Sequence, residues 1–135
     1  MTGKELSLYA VKARENAYAP YSGYKVGAAL LAEDGTVFMG CNIENAAFSP
    51  TVCAERVALF KAVSNGVKGF CAIAVAGGRD LVTPTTPCGV CRQALSEFCS
   101  PETKVYLVTN DNGDYTETTL GELLPGAFGF LMFGG

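Results

Sequence analysis

The sequence predicts an α/β domain in which helices pack on a single β-sheet. Segments with helical spacing of apolar residues alternate along the chain with short β-like runs, and that alternation is typical of a layered α/β fold. The chain has 135 residues, so we expect residues 1–135 to form one domain. A hydrophobic fraction of 49% and a charged fraction of 17% provide enough apolar material for a core and exclude a disordered chain.

The first third of the chain predicts a helix followed by a hairpin. Apolar residues recur at helical spacing over residues 5–18, and Pro20 stops the pattern. Two β-like runs follow at residues 25–32 and 36–43. Because the turn sequence Glu33-Asp34-Gly35 separates them, we expect the two strands to be antiparallel.

The middle of the chain predicts helix, strand and helix. Residues 53–64 have helical periodicity, which ends near Asn65-Gly66, a common C-terminal signal. Residues 70–76 are almost all apolar, as expected of a strand buried on both faces. Pro87 then precedes a second helical segment at residues 88–98.

The last third predicts two strands and a short helix. Residues 104–109 form a β-like run, a turn signal stands at residues 111–113, and residues 115–118 return as a strand. Residues 119–124 open a short helix. The strand-helix-strand units favour parallel neighbours joined by right-handed crossovers.

The composition excludes several classes of function. With no histidine in the chain, no catalytic imidazole is available, which excludes Ser-His-Asp and Cys-His catalysis and the HExxH zinc proteases. A metal site must therefore use Cys, Asp or Glu side chains. With a net charge of −3, the chain has no excess of basic residues to attract the phosphates of a polynucleotide, so we expect no nucleic-acid partner.

The opening residues show no secretion signal, and no stretch approaches the roughly 18 apolar residues that cross a bilayer. We therefore expect a cytoplasmic protein with no membrane partner, in which thiols stay reduced. In that compartment the six cysteines indicate metal ligands, reactive groups or core residues more than disulfides. Cys41, Cys71 and Cys99 are expected to be small, buried, apolar-like side chains.

Three other cysteines predict a metal site. Cys88 and Cys91 are three apart on a predicted helix and share one face, a spacing that suits two thiolates on one tetrahedral ion. Cys53 supplies a third sulfur from another helix start, where free N–H groups favour thiolates. Three protein ligands and an open position are the pattern of catalytic zinc, which activates water.

Two neighbours of Cys53 are candidates for roles beside the metal. Glu55 does not share a helix face with Cys53 and is a poor ligand, but its carboxylate can reach the water as a general base and then acid. Arg56 shares the face of Cys53, where its guanidinium can donate to the thiolates and offset their charge.

The combination Cys53-x-Glu55 with Pro87-Cys88-x-x-Cys91 matches the three-cysteine form of the zinc deaminase signature. Six motifs in chain order resemble the small homotetrameric cytidine deaminases. They are Ala19-Pro20-Tyr21-Ser22, Val26-Gly27-Ala28-Ala29-Leu30, Gly40-Cys41-Asn42-Ile43-Glu44-Asn45-Ala46, Cys53-Ala54-Glu55-Arg56, Pro87-Cys88-Gly89-x-Cys91-Arg92-Gln93 and Leu123-Leu124-Pro125-Gly126-Ala127-Phe128.

The resemblance implies a three-layer α-β-α cytidine deaminase-like fold, with a mixed five-stranded sheet and helices on both faces. It implies a homotetrameric enzyme of pyrimidine salvage with one Zn²⁺ per chain. Such an enzyme hydrolyses cytidine and 2′-deoxycytidine to uridine and 2′-deoxyuridine plus ammonia, by attack of zinc-bound hydroxide at C4.

The resemblance also implies roles for individual residues. Glu55 would carry the proton to the base and then to the leaving amine. Cys53, Cys88 and Cys91 would be the zinc ligands, and Tyr24, Asn42, Glu44 and Ala54 would bind substrate, with Ala46, Phe48 and Phe128 near a neighbouring subunit's site. Arg92 and Gln93 belong to the motif and are candidates to support the ligands.

The spacing and the side-chain chemistry of Asn42 and Glu44 suit binding of the ribose hydroxyls. In an extended strand, positions i and i+2 point to the same face, and an amide beside a carboxylate suits a sugar hydroxyl that both donates and accepts. A carboxylate would repel the 3′-phosphate of a polynucleotide, which favours a free nucleoside.

Two residues depart from the family pattern: Tyr24, expected to pack on the base, stands where Phe is common, and Phe48 stands where Tyr is common. Tyr24 keeps the aromatic face. The apolar segment 129–135 is expected to be buried at a subunit interface.

Three alternatives stay open. Taken alone, Pro-Cys-x-x-Cys is also typical of a thiol redox site or of half a structural zinc site, so a non-catalytic zinc protein is one rival. A deaminase of another aminopyrimidine, such as a nucleoside antibiotic or a polynucleotide, is another. Asn42 and Glu44, taken alone, would be polar residues on an exposed strand face, and Tyr24 and Phe128 would be core aromatics.

Overall fold

A computed structural model of the chain describes residues 1–129, so all of the predicted interface segment 129–135 except Gly129 lies outside the described residues. None of the helices in residues 1–129 is long and apolar enough to cross a membrane. The elements are α1 (Gly3–Ala13), β1 (Lys25–Ala32), β2 (Val37–Cys41), α2 (Ala54–Ser64), β3 (Phe70–Gly78), α3 (Gly89–Ser96), β4 (Lys104–Val108), β5 (Tyr115–Thr119) and α4 (Leu120–Leu123), with a 3-10 turn at Arg14–Asn16.

Within the described residues the strands form one five-stranded sheet in the order β2-β1-β3-β4-β5. The predicted hairpin of β1 and β2 is confirmed as an antiparallel pair. β3 and β4, joined by α3, are parallel as predicted, while β1 with β3 and β4 with β5 are antiparallel. The prediction of parallel neighbours is wrong for the unit β2-α2-β3: β2 and β3 run in the same direction, but β1 lies between them.

The helices cover both faces of the sheet, which confirms the predicted three layers. Alternate residues of a strand point to opposite faces. On β1, Ala29 packs with Leu6 and Ala10 of α1 in one apolar cluster. Its neighbours Ala28 and Leu30 pack with α2, α3 and α4 in the other.

Side chains at the helix ends set boundaries that differ from the predicted ones. α1 begins at Gly3, earlier than predicted, because Thr2 and Glu5 form a reciprocal capping box. It ends at Ala13, earlier than predicted, since the chain passes through the 3-10 turn and becomes extended at Ala17. Cys53 and Cys88, predicted to be the first helical residues, are the N-caps of α2 and α3.

The expectation that Cys41, Cys71 and Cys99 are all buried is wrong for Cys71 and only partly met at Cys41. Cys99 is buried, Cys41 is half-buried and Cys71 is exposed. The pairing of β1 with β3 shifts register here: Leu31 pairs with Ala72 and Ala32 with Phe70, so Cys71 is the extra residue of a bulge.

Two glycines allow the helices to lie close to the sheet. A Cβ on Gly27 of β1 would stand 2.1 Å from the Ala10 carbonyl oxygen of α1. A Cβ on Gly40 of β2 would stand 2.5 Å from both the carbonyl oxygen of Ala54 and the amide nitrogen of Ala58 in α2. Only a hydrogen fits at either place, and Gly40 thereby sets the height of the first turn of α2 above the sheet.

We predict that Gly40→Ala destabilises the protein by about 1–3 kcal/mol, because the added methyl group must push the α2 backbone away from β2. Urea unfolding followed by circular dichroism measures the change in the free energy of unfolding.

The control for this variant is Glu102→Ala, at an exposed position before β4, because surface substitutions usually change the free energy of unfolding by less than about 0.5 kcal/mol. Equal unfolding free energies for the Gly40 variant and the wild-type chain would contradict the packing argument.

Candidate metal centre

Three thiols meet where α2 and α3 begin. Cys53 and Cys88 are the N-caps of the two helices, and Cys91 lies in the first turn of α3. The Cys53 and Cys88 Sγ atoms are 3.7 Å apart, and the Cys88 and Cys91 Sγ atoms are 3.4 Å apart. All three sulfurs lie within 4.8 Å of one another, and no other group of three such ligand side chains occurs in residues 1–129.

The local backbone explains why the sulfurs converge. Both N-cap residues are extended, with ψ of 156° at Cys53 and 164° at Cys88, and the Cys88 side chain caps its own helix whereas the Cys53 side chain makes no cap hydrogen bond. The Cys91 N–H donates to Cys88 Sγ at 3.4 Å. Helix N-termini stabilise negative charge, so two helix starts favour thiolates at this point.

The donor set fits a tetrahedral zinc ion. Zinc–sulfur bonds of about 2.3 Å at tetrahedral angles place sulfurs about 3.8 Å apart, close to the two separations found here. The thiolate is the form that binds metal, and three thiolates leave one of four tetrahedral positions for another ligand.

Arg56 lies beside the sulfurs as predicted. Its Nη2 atom donates to Cys53 Sγ at 3.5 Å. The pKa of Cys53 falls to about 5, first because the Cys91 thiol donates to it and then because Arg56 donates as well. The donating Cys91 thiol has a raised pKa, since losing its proton would place a second negative charge beside Cys53 in a buried position.

Glu55 places an unpartnered carboxyl oxygen next to the thiols. The residue is only 3% exposed, and its Oε1 atom has no hydrogen-bond partner among the described residues. Burial raises the pKa of this carboxyl to about 7, with a further rise from the charge of Cys53. A buried polar atom without a partner is costly in a stable fold, and beside a cavity a water molecule or a ligand can supply the missing contact.

A cavity of about 310 Å³ opens beside this cluster. Its lining includes the metal-side residues Cys53, Glu55 and Cys88. It also includes side chains that the sequence analysis assigned to substrate, namely Tyr24, Asn42 and Glu44. The structure therefore brings the thiols, the buried carboxyl and three predicted substrate residues to one concave site.

The protein's own backbone uses half of the hydrogen-bonding groups of the Asn42 side chain. Its Oδ1 accepts from the Val26 N–H at 2.9 Å, and its Nδ2 donates to the Tyr24 carbonyl at 2.8 Å. One lone pair and one N–H remain, and Asn42 fixes the segment of Tyr24 against the cavity.

Glu44 is fixed by the loop that contains Ser22. Its Oε1 accepts from the Tyr21 and Ser22 N–H groups at 2.9 and 3.1 Å, and its Oε2 accepts from the Ser22 hydroxyl. These donors hold the pKa of Glu44 below its usual range, with the Ser22 hydroxyl making the largest contribution. The cavity therefore carries a fixed negative charge at this wall.

Sequence reasoning missed the contribution of the segment before Cys88. Thr85 and Thr86 line the cavity, and the Tyr24 hydroxyl is hydrogen-bonded to Thr85 Oγ1. Ser22 also lines the cavity. Its place in the motif Ala19-Pro20-Tyr21-Ser22 was the available signal, whereas the segment before Pro87 has no periodicity from which to predict a contact.

Arg92 and Gln93 support the metal-side loops through backbone oxygens. Arg92 donates from Nε to the Pro87 carbonyl at 2.7 Å and from Nη1 to the Leu123 carbonyl at 2.8 Å. Gln93 donates to the Phe128 carbonyl at 2.8 Å. Arg92 therefore holds the residue before Cys88 against the end of α4.

The remaining predicted site residues lie outside the cavity lining described above. Ala54 is fully buried at the start of α2, whereas Phe48 is 78% and Phe128 56% exposed. Ala46 is also exposed, in the same loop as Phe48.

The chain is similar to known proteins over most of its length. A family model described as the cytidine and deoxycytidylate deaminase zinc-binding region matches residues 2–108. The cytidine deaminase of Sporosarcina psychrophila is 62% identical over 117 residues, which cover 87% of this chain and 84% of that protein. The blasticidin-S deaminase of Bacillus cereus is 32% identical over 108 residues, covering 76% of this chain and 75% of that protein.

The fold matches as well. The crystal structure of cytidine deaminase from Burkholderia pseudomallei superposes with a TM-score of 0.86 at 51% sequence identity, covering 95% of this chain and all of that one. The matched region contains the three cysteines, which supply ligands for one zinc ion per chain. The chain therefore belongs to the zinc-dependent cytidine deaminase family.

Proposed function

We propose that the protein hydrolyses both cytidine and 2′-deoxycytidine to the corresponding uridines and ammonia, as an enzyme of pyrimidine salvage. In the reaction water adds at C4, the C4–N bond breaks and a carbonyl forms. The observation that carries the proposal is the buried, unpartnered Glu55 carboxyl oxygen in the same cavity as the thiol cluster.

Glu55 is the proton carrier of this mechanism. Zinc, when held by Cys53, Cys88 and Cys91, acts as a Lewis acid that lowers the pKa of a water molecule at its open position. Glu55 accepts the proton of the attacking water, delivers it to the pyrimidine ring and protonates the leaving amine. Its burial supports this role, because a carboxyl with a raised pKa both accepts and releases a proton near neutrality.

Arg56 balances the charge of the ligands. Three thiolates over-neutralise a divalent cation and would weaken it as a Lewis acid. By donating to Cys53, Arg56 withdraws charge from the sulfur. The zinc affinity of Arg56→Gln measures this contribution.

Asn42 and Glu44 select a free nucleoside. Both side chains line the cavity, where the remaining Asn42 groups and the Glu44 carboxylate suit ribose hydroxyls. A polynucleotide carries a phosphate on the 3′-oxygen, and Glu44 would repel it. The net charge of −3 also disfavours a polynucleotide.

Tyr24 contributes its aromatic face to the base. Ala54, although its side chain is buried, contributes to substrate binding through its backbone beside Glu55.

The active form is a homotetramer in the cytoplasm. Phe48 and Phe128 are large apolar side chains left exposed by the single chain, and Ala46 lies in the same loop as Phe48. In a tetramer these residues approach a neighbouring subunit's site and are covered. A reducing compartment keeps the three ligand thiols free for metal.

A second candidate substrate is a nucleoside antibiotic, and the blasticidin-S deaminase relative favours it. Its identity of 32% against 62% for the Sporosarcina cytidine deaminase ranks it second. A non-catalytic zinc protein ranks third, because a structural zinc site is closed by its four ligands and does not require an unpartnered carboxyl group beside the metal.

We predict that Glu55→Gln lowers kcat by at least about 10²-fold and retains both zinc and fold, because the amide fills the same space without accepting a proton. The loss of cytidine absorbance gives the rate, and elemental analysis gives zinc per chain. Glu102→Gln, at an exposed position, is the matched control. Unchanged turnover in Glu55→Gln would remove Glu55 from the mechanism.

We predict turnover of cytidine and deoxycytidine and little or none of free cytosine, oligo-dC or blasticidin S, because the Asn42 and Glu44 wall recognises an unphosphorylated sugar. Ammonia release from each compound at equal concentration measures the preference. Turnover of free cytosine or oligo-dC without turnover of cytidine would overturn the nucleoside assignment. A preference for blasticidin S would show that the substrate is a nucleoside antibiotic.

We predict that Phe48→Glu converts a tetramer into smaller species with reduced kcat/KM, because a charge would be buried at the subunit contact. Sedimentation velocity gives the mass. Tyr9→Glu, on the exposed side of α1, is the control and remains tetrameric. A fully active wild-type monomer would exclude the role of the tetramer.

A further inference from the structure

Three hydrogen bonds hold Tyr24 in the cavity wall. Its backbone N–H donates to Ser22 Oγ at 2.9 Å, and its carbonyl accepts from Asn42 Nδ2 at 2.8 Å. Its hydroxyl is hydrogen-bonded to Thr85 Oγ1. Each of the three partners lines the same cavity as Tyr24, so both ends of this side chain are anchored to the site itself.

The direction of the hydroxyl contact follows from the second contact of Thr85. Thr85 Oγ1 donates its single proton to the Thr83 carbonyl at 3.1 Å. It therefore accepts from Tyr24, whose hydroxyl is the donor. The Thr83 N–H in turn donates to the Gly77 carbonyl of β3 at 2.8 Å. The ring of Tyr24 is thus connected to β3, in the middle of the sheet.

The backbone makes room for this connection. A Cβ on Gly77 would stand 2.7 Å from Thr85 Oγ1, so the Thr85 hydroxyl sits directly over the backbone of β3. Thr85 lies three residues before Cys88. The hydrogen bond from Tyr24 therefore joins the nucleoside side of the cavity to the segment that leads into a metal ligand.

We propose that Tyr24 and Thr85 form a positioning pair, in which the hydrogen bond from the Tyr24 hydroxyl to Thr85 fixes the aromatic ring in the orientation that receives the pyrimidine. This inference rests on the proposed function. The pair explains why a tyrosine at position 24 differs in effect from the phenylalanine that is common there. A phenylalanine has no hydroxyl group that could hold its ring in place. The pair acts on binding, because it orients the ring equally for the bound substrate and for the transition state.

The test compares kinetics on cytidine for zinc-loaded wild type, Tyr24→Phe, Thr85→Val and the double variant. We expect each single substitution to raise KM about 2- to 10-fold, the range that one neutral hydrogen bond is worth, with kcat within about twofold of wild type. The double variant is no worse than either single variant, because both substitutions remove the same bond. Thr85→Ser keeps the hydroxyl and has wild-type KM.

Tyr9→Phe and Thr116→Val are the matched controls, since both side chains are exposed outside the cavity. Zinc per chain is measured for every variant. An unchanged KM in Tyr24→Phe, additive effects in the double variant, or a change carried by kcat alone would each overturn the pair. A wild-type protein inactive on cytidine would instead overturn the proposed function, so the two failures are distinguishable.

Discussion

Everything in the site depends on three thiols being held within bonding distance of one ion at the starts of two helices. Cys53 is presented in this way because α2 packs closely on β2, which Gly40 permits, while α3 packs against α2 and α4. Both helices point their N-termini at the same place, so the backbone itself stabilises the negative charge of the ligands. Before any metal binds, the helix dipoles, the Cys91 thiol and Arg56 together stabilise the negative charge of Cys53.

Around the thiols, the protein separates buried from exposed charge. Glu55 is buried and has an unpartnered oxygen, whereas Glu44, which lines the same cavity, accepts hydrogen bonds from two N–H groups and a hydroxyl. Burial raises the pKa of the first carboxyl, and hydrogen bonds lower the pKa of the second. The two carboxyl groups therefore have opposite pKa shifts within one cavity, and the proposed function uses the first to move protons and the second as a constant charge.

Much of this arrangement could be predicted from the sequence, because local signals determine it. Helical periodicity placed Cys53 and Cys88 at helix starts, and residue spacing placed Arg56 beside Cys53. What could not be predicted depends on tertiary contacts. The exposure of Cys71 follows from a bulge in the pairing of β1 with β3, and the Tyr24 contact with Thr85 crosses 61 positions of sequence. No pattern within either segment encodes such a partner.

The central claim is that three sulfurs hold a zinc ion whose fourth position is open to a water molecule. X-ray absorption at the zinc edge of active protein measures the ligands directly. We expect about three sulfurs near 2.3 Å and one oxygen or nitrogen near 2.0 Å. A shell of four sulfurs, or active protein without stoichiometric zinc, would contradict it.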